Sequence, residues 1–107
     1  MSGVAGTNRG NNALILLDLN YSEFQKELFD LDVNEVKKIF KTFKKIHKMT
    51  WNQLFTDSGL NWEEIKNAAG KYTIRVSLQY RAVVVRDGQF MRFLLLVTDH
   101  DRAYQSR

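Results

Sequence analysis

Residues 71–104 read KYTIRVSLQYRAVVVRDGQFMRFLLLVTDHDRAY, and this C-terminal third sets the architecture of the chain. Apolar and polar residues alternate in its first part, which is the pattern of a half-buried strand. The dipeptide Asp87-Gly88 then separates two strand-like segments and is a strong signal for a tight hairpin. Residues 90–97 are apolar at nearly every position after Arg92, which predicts a central strand covered on both faces. Three consecutive antiparallel strands are therefore expected.

The segments before this meander supply one more strand and the first helix. Residues 13–19, ALILLDL, form a short apolar run that predicts a buried strand. Ser22 and Gln25 have the spacing of a capping box, in which each side chain bonds the other residue's backbone amide. They predict a short helix over residues 22–29, with its apolar positions on one face.

A longer helix follows, with Asp32 or Asn34 as its cap. Its apolar stripe is predicted from positions spaced three and four apart, namely Val33, Val36, Phe40, Phe43 and His47, widened by Ile39 and Ile46. The opposite face carries a row of lysines: Lys37, Lys38, Lys41, Lys44, Lys45 and Lys48. Such a row is ordinarily a solvated surface, and its functional interpretation is a phosphate-tracking one. Residues 60–65 are predicted to form a helical turn that brings Trp62 against the sheet edge.

The composition predicts one globular domain over residues 13–107, preceded by a flexible arm over residues 1–12. The 107 residues are 44% hydrophobic and 26% charged, and the expected fold is α+β: an antiparallel sheet of three to four strands with the N-terminal helices packed on one face. The absence of cysteine removes disulfides and favours a reducing compartment, so a cytoplasmic protein is expected. No apolar run approaches the roughly 20 residues that span a bilayer, so no membrane partner is expected. The net charge of +4 would attract polyanions but also serves solubility alone, so the charge by itself does not decide between them.

The residues suited to chemistry gather at the end of the meander. Arg75 and Arg81 fall on the polar side of adjacent predicted strands, and the last strand leads to His100, which stands between Asp99 and Asp101. Histidine transfers protons near neutral pH, and arginine binds phosphate oxygens in pairs. This set suits cleavage of a phosphodiester. The plain structural alternative is a surface histidine–aspartate pair with arginines on the wet side of a sheet. A metal site is not expected, because neighbouring residues point apart.

The motifs of this segment, taken in chain order, are Gly59-Leu60-Asn61-Trp62-Glu63, YTIRVS at 72–77, Tyr80-Arg81, Asp87-Gly88, Asp99-His100-Asp101 and Ala103-Tyr104. Together they resemble the RelE/ParE superfamily of small toxins from bacterial toxin–antitoxin pairs. The resemblance covers residues 59–104 by motif, and the N-terminal strand and helices match the family's order of elements.

The resemblance implies a RelE-like microbial RNase fold whose concave sheet face binds messenger RNA, often on the ribosome, where the 2′-hydroxyl of the RNA attacks the scissile phosphate. Arg81 would be the phosphate-stabilising arginine and Arg75 a second basic ligand. His100 would be the general acid or base, with Asp101 beside it, and Tyr104 an aromatic residue near the substrate. This chain offers histidine where the family's best-studied nuclease uses an arginine and a tyrosine with lysines.

The same resemblance implies RNA contacts by basic residues, which are assigned to Lys71, Arg86, Arg92, Arg102, Lys37, Lys41 and Lys44. The partners implied are messenger RNA, the ribosome and a cognate antitoxin, with no cofactor and no metal. Two other functions remain open. One is a ParE-type inhibitor of DNA gyrase, which shares the fold without cutting RNA, and the other is an RNA-binding module without catalysis.

Overall fold

The computed structural model describes residues 10–98. Its five strands are β1 Leu16–Asp18, β2 Glu63–Glu64, β3 Lys71–Arg75, β4 Tyr80–Asp87 and β5 Phe90–Thr98. Its helices are α1 Ser22–Phe29, α2 Val33–His47 and α3 Trp51–Phe55, and residues 10–12 are helical as well. The strands form one sheet in the order β1-β5-β4-β3-β2. The predicted α+β class is confirmed.

The sheet is mixed and has five strands, so the prediction of three to four antiparallel strands is only roughly right. The strands from β2 to β5 pair antiparallel with their neighbours, whereas β1 runs parallel to β5 with Leu17 opposite Met91. The parallel pairing of β1 with β5 follows from the way the chain connects these two strands. The helices carry the chain from β1 to the far edge of the sheet, and three reversals then return β5 to the side of β1.

The extra strand β2 lies where a helical turn was predicted, and that prediction is wrong. Glu63 and Glu64 pair with Thr73 and Tyr72 at the edge of the sheet. Trp62 does pack at this edge, since its ring stacks on the Tyr72 ring with centroids 4.4 Å apart. A strand of two residues is too short to show a periodicity of two, so the pattern alone did not reveal it.

The predicted bounds of α1 are confirmed, and its buried residues are Phe24 and Leu28, as expected. The Phe24 ring meets the Phe93 ring of β5 at 5.2 Å between centroids, which fastens the helix to the sheet. The predicted capping box is wrong. Tyr21 is the N-cap residue and makes no side-chain capping bond, and the Gln25 side chain donates to the Leu19 carbonyl at 2.6 Å.

Asp32 caps α2 as predicted, because its carboxylate accepts from the Glu35 amide. The buried stripe, however, is rotated from the predicted one. Its members are Glu35, Ile39, Phe43 and Ile46, whereas Val33, Phe40 and His47 are exposed. The Glu35 carboxylate accepts a 2.6 Å hydrogen bond from the Ser77 hydroxyl, so a charged residue occupies a position that pattern reading assigns to the surface.

The run of apolar residues in β5 has a cause that differs in part from the predicted one. The strand has partners on both sides, but Leu95 is 41% exposed, so burial on the face away from the helices is incomplete. The register pairs Val83 with Leu95 and Val84 with Phe93, which leaves an extra residue in β5. Because of this β-bulge the alternation of side chains shifts by one residue, so Phe93 and Leu96 are both buried although they are three residues apart. The run therefore reflects a bulge together with partial burial of the second face.

The alternation predicted for residues 72–80 ends early, because β3 stops at Arg75. Ile74 and Val76 are buried as expected, but Leu78 is 84% exposed in the connection to β4. The Ser77 amide donates to the Tyr80 carbonyl, so the chain reverses at the point where the pattern continued.

Residues 10–12, which were assigned to the arm, are held against the domain. The Arg86 guanidinium donates to the Gly10 carbonyl and the Asn11 side chain, both at 2.8 Å. Asn52 of α3 donates to the Asn12 side chain. Residues 1–9 lie outside the described residues. Within residues 10–98, no helix is long and apolar enough to cross a membrane.

The capping box found at α3 supports a first prediction. The Thr50 side chain accepts from the Gln53 amide, and the Gln53 side chain accepts from the Thr50 amide. Thr50→Ala should lower the free energy of unfolding by about 1 kcal/mol, since it removes one of these bonds. Urea denaturation measures the change. The matched control is Ser22→Ala, which should be close to neutral, and equal losses in both variants would contradict the assignment of the caps.

Candidate functional site

The sheet has one face covered by the helices and one that they leave open, on which Thr73, Arg81 and Val83 are nevertheless buried. Ile74, Ala82 and Val84 belong to the core cluster together with residues of the helices. Side chains alternate between the two faces of a strand, so the intervening residues of β3 and β4 point to the other side. Arg75 and Arg81 are direct cross-strand partners there. The predicted juxtaposition of these two arginines is therefore present.

Arg81 lies at the centre of a buried polar cluster. Its side chain is fully buried, and its Nη2 donates to the Asn61 carbonyl and to the Thr73 hydroxyl, both at 2.8 Å. The same nitrogen lies 3.7 Å from a Glu63 carboxylate oxygen. The expectation that Arg81 lies on a wet sheet face is thus wrong, because these contacts draw its side chain against β2 and β3. Arg75, in contrast, is only half-buried.

The sequence pattern did not identify Glu63 or Thr73 as members of this cluster. Glu63 pairs with Thr73 across the β2–β3 ladder, so both share the face that carries the arginines. Glu63 is 41% exposed, and it places a carboxylate at the rim of the cluster. Asn61 precedes it with a φ of 49°, a left-handed conformation that Asn tolerates better than most residues. The Asn61 carbonyl then accepts the Arg81 bond.

The other basic residues assigned to RNA contacts are dispersed. Lys71 is exposed at the start of β3 on the same face as Arg75. Arg92 also lies on the open face, where it binds Asp18 at 2.8 Å and Asp87 at 3.2 Å. Arg86 lies on the helix side, with its guanidinium 4.2 Å from the centroid of the Trp51 ring. Burial lowers the pKa of Arg86. Lys71 and Arg92 thus share the face of the arginine pair but lie at the opposite end of the strands, both level with Val85.

The last described residues place the end of β5 beside this cluster. Val97 pairs with Arg81, and Thr98 pairs with Tyr80. The predicted site residues His100, Asp101, Arg102 and Tyr104 lie outside the described residues.

The ion pair between Arg92 and Asp18 makes the stability of the sheet depend on pH. The hydrogen bond from Arg92, together with one from the Asn20 amide, lowers the pKa of Asp18 below its ordinary value of 3.8. Hydrogen bonds to Asp18 and Asp87 raise the pKa of Arg92. A carboxylate with a lowered pKa stabilises the fold above its unfolded pKa, and this contribution is lost as the pH falls through the folded value.

Arg92→Gln should therefore be less stable than the wild type near neutral pH, and the difference should shrink as the pH falls from the ordinary value of 3.8 through the lowered pKa of folded Asp18. Urea denaturation above and below this pH range measures the difference in free energy of unfolding. Lys66→Gln, at an exposed lysine in the β2–β3 connection, is the control and should show no such dependence. A difference that stays constant with pH would assign the effect of Arg92 to packing.

The lysines of α2, together with its C-cap residue Lys48, fall into two groups. Lys38 pairs with Glu35 at 4.0 Å, and Lys45 pairs with Asp57 at 3.1 Å. Burial by itself would raise the pKa of Asp57, but the hydrogen bonds from the Leu60 amide and from Lys45 outweigh it, so the pKa is lowered. The remaining four lysines are exposed: Lys37, Lys41, Lys44 and Lys48.

The described residues contain no cluster of three or more histidine, aspartate or glutamate side chains that could hold a metal ion.

Comparison of the chain with protein-family models, with curated proteins and with solved structures returns no match. The resemblance to the RelE/ParE superfamily therefore stays a prediction from the motifs.

Proposed function

We propose that the protein is a toxin endoribonuclease that cleaves messenger RNA on the ribosome. The observation that carries the proposal is the arginine pair. Arg75 and Arg81 are adjacent on the sheet face that the helices leave open, and β5 ends directly beside them. Two positive charges at one point on a sheet face suit a phosphate whose charge increases during the reaction.

The reaction would be an attack by the 2′-hydroxyl of the RNA on the adjacent phosphorus. A bond forms between the 2′-oxygen and phosphorus, and the bond from phosphorus to the 5′-oxygen of the next nucleotide breaks. A base accepts the 2′-hydroxyl proton, and an acid donates a proton to the departing 5′-oxygen. The products are a 2′,3′-cyclic phosphate and a 5′-hydroxyl, and no cofactor is needed.

In this proposal the exposed part of Arg75 binds the phosphate directly. Arg81 is buried, so it does not contact the phosphate in this proposal. Its hydrogen bonds hold Thr73 and the start of β2 in place, and its guanidinium adds positive charge behind the binding surface. Glu63 offers a carboxylate at the rim that can accept the 2′-hydroxyl proton. His100 would then be the acid. It follows Thr98 by two residues, which span at most about 7 Å of extended chain.

The remaining residues of the proposed site have supporting roles. Asp101 would orient the His100 ring, Tyr104 would contact a base, and Arg102 and Lys71 would bind flanking phosphates. The proposed partners are messenger RNA, the ribosome and an antitoxin, in a cytoplasmic setting. Arg86 and Arg92 are not included among the proposed RNA contacts. Arg86 binds residues 10–11 and lies over Trp51, and Arg92 binds Asp18 and Asp87.

The test is cleavage of a defined messenger RNA by the full chain, with and without ribosomes, followed by mapping of the new ends. We expect cuts in the presence of ribosomes, with cyclic phosphate and 5′-hydroxyl ends, and no cuts from His100→Ala. Growth arrest in cells with intact messenger RNA would contradict the nuclease and favour a gyrase target. Absence of any toxicity would favour an RNA-binding module.

A further inference from the structure

The outer surface of α2 combines exposed apolar side chains with a row of lysines. Val33 is 68% exposed and Phe40 is 40% exposed, and Val36 between them is half-buried. Their spacing of three and four residues places them on one side of the helix, over about 10 Å of its length. The Phe40 ring contacts the core residue Phe43, with ring centroids 5.4 Å apart. Val33, Val36 and Phe40 together form an apolar strip that the core does not cover.

The lysine row lies directly beside the apolar strip and consists of Lys37, Lys41, Lys44 and Lys48. All four side chains are exposed, and within residues 10–98 none of them forms an ion pair. At 3.6 residues per turn, the strip and the row each cover about 60° of the helix circumference, side by side. Like charges three and four residues apart on a helix repel each other, so the row lowers the stability of the helix that carries it.

The same helix exposes no carboxylate of its own on this surface. Residues 33–48 contain six lysines and a single acidic residue. That residue is Glu35, which is only 7% exposed and accepts the hydrogen bond from Ser77. The outer surface of α2 therefore carries positive charge beside exposed apolar side chains and presents no negative charge. This combination is typical of helices that lie on an anionic membrane surface.

We propose that α2 binds the surface of an anionic lipid bilayer, with its axis parallel to the plane of the membrane. The apolar strip would enter the boundary between headgroups and acyl chains, and the lysine row would contact lipid phosphates. Burial of apolar side chains at this boundary needs no complementary groove, because the hydrophobic effect has no direction. RNA is the less suitable occupant, since Val33 and Val36 offer no ring on which a base could stack.

Binding of this kind needs no helix that crosses the bilayer, because the helix lies within the interface. The expectation of no membrane partner was drawn from the lack of a spanning run, which is a different contact. The core residues Ile39, Phe43 and Ile46 join α2 to the rest of the fold, so its outer surface faces away from the sheet. A bound bilayer would thus leave the open face of the sheet accessible. The proposal does not rest on nuclease activity.

The experiment measures binding of the full-length protein to sedimented vesicles. One set consists of phosphatidylcholine alone, and the other contains about 30% phosphatidylglycerol, which is anionic. We expect binding to the anionic vesicles to be stronger by about tenfold or more. We also expect it to weaken when the salt concentration is raised from about 0.1 M to about 0.5 M, because salt screens the lysine row.

Neutralising the lysine row should weaken vesicle binding in steps. Each lysine near an anionic surface raises the partition coefficient about fivefold, so Lys37→Gln/Lys41→Gln/Lys44→Gln should lower it about 100-fold. Lys41→Gln alone should lower it about fivefold. Lys66→Gln is the matched control, because it removes one charge from an exposed lysine in the β2–β3 connection. It should lower the partition coefficient by less than about twofold.

Replacing the exposed apolar side chains tests the second component of binding. Val33→Gln/Phe40→Gln should lower the partition coefficient about tenfold. Leu95→Gln is the matched control, because Leu95 is 41% exposed but lies on the sheet face away from the helices, and it should leave vesicle binding unchanged. Thermal unfolding checks that each variant folds. If Phe40→Gln is unstable, Val33→Gln alone serves, because that residue is the more exposed of the two.

Four results would overturn the proposal. They are equal binding to neutral and anionic vesicles, equal binding by the triple lysine variant and Lys66→Gln, and wild-type binding by a folded Val33→Gln/Phe40→Gln variant. The fourth is that the triple lysine variant weakens binding of a single-stranded RNA probe, with a smaller salt slope, but leaves vesicle binding unchanged. That outcome would assign the lysine row to RNA. Cleavage of messenger RNA is measured separately, so failure of the membrane site and failure of the nuclease proposal are distinguishable.

Discussion

Arg81→Ala should lower the free energy of unfolding by about 2–4 kcal/mol, because it leaves a cavity and removes the donor of two buried hydrogen bonds. The Arg81 side chain is fully buried, and the Asn61 carbonyl and the Thr73 hydroxyl both accept from it at 2.8 Å. Without it, the Thr73 hydroxyl would face a void. Urea denaturation followed by tryptophan fluorescence measures the loss.

Two further variants separate the contributions of Arg81. Arg81→Met fills much of the same volume without a donor, so it should recover part of the packing contribution and none of the hydrogen bonding. Arg81→Lys keeps the charge but cannot reproduce the planar set of donors. A stability loss below about 1 kcal/mol for Arg81→Ala, the level of an ordinary surface change, would contradict the structural role of this arginine.

Arg75→Ala should have the opposite profile and lower the rate of RNA cleavage by about 10²–10³-fold, the effect of removing one preorganised donor to a developing charge. This expectation rests on the proposed function. Its physical basis is the position of Arg75, which is half-buried and pairs directly across the ladder with Arg81. Single-turnover cleavage of ribosome-bound messenger RNA measures the rate, and thermal unfolding measures stability.

Arg86→Ala is the matched control for Arg75→Ala. It also removes a guanidinium from a strand of the sheet, but this one lies on the face covered by the helices, over the Trp51 ring. We expect it to lower stability and to leave the cleavage rate of the folded protein nearly unchanged. A rate that falls equally in both variants would indicate a general effect of net charge. A rate that falls in neither would remove Arg75 from the site.

The sequence predicted those parts of the fold that depend on local pattern. The bounds of α1 follow from residues 22–29, the cap of α2 was narrowed to Asp32 or Asn34, and the hairpin predicted at Asp87-Gly88 forms, with Gly88 at a positive φ of 62°. The errors came from contacts distant in sequence. Glu35 is buried because Ser77 binds it, 42 positions away, and no pattern within α2 contains that information.

In the candidate site, too, the features that depend on local pattern were predicted and those that depend on distant contacts were not. The alternation in residues 72–80 and the next strand correctly put Arg75 and Arg81 on one face, because side-chain parity is a local property. The burial of Arg81 depends on the Asn61 carbonyl, 20 positions earlier, and on a two-residue strand that carries no periodic signal. Glu63 was missed for the same reason.

The parallel pairing of β1 with β5 also bears on the order in which the protein can fold. Asp18 and Arg92 are 74 positions apart, and the Phe24 ring of α1 likewise packs on Phe93 of the last strand. Contacts between distant residues form slowly, because a long loop must close before they contribute. A nascent chain without β5 lacks the partner of β1, of β4 and of α1. We therefore expect a growing chain to remain without its core until β5 has been synthesised.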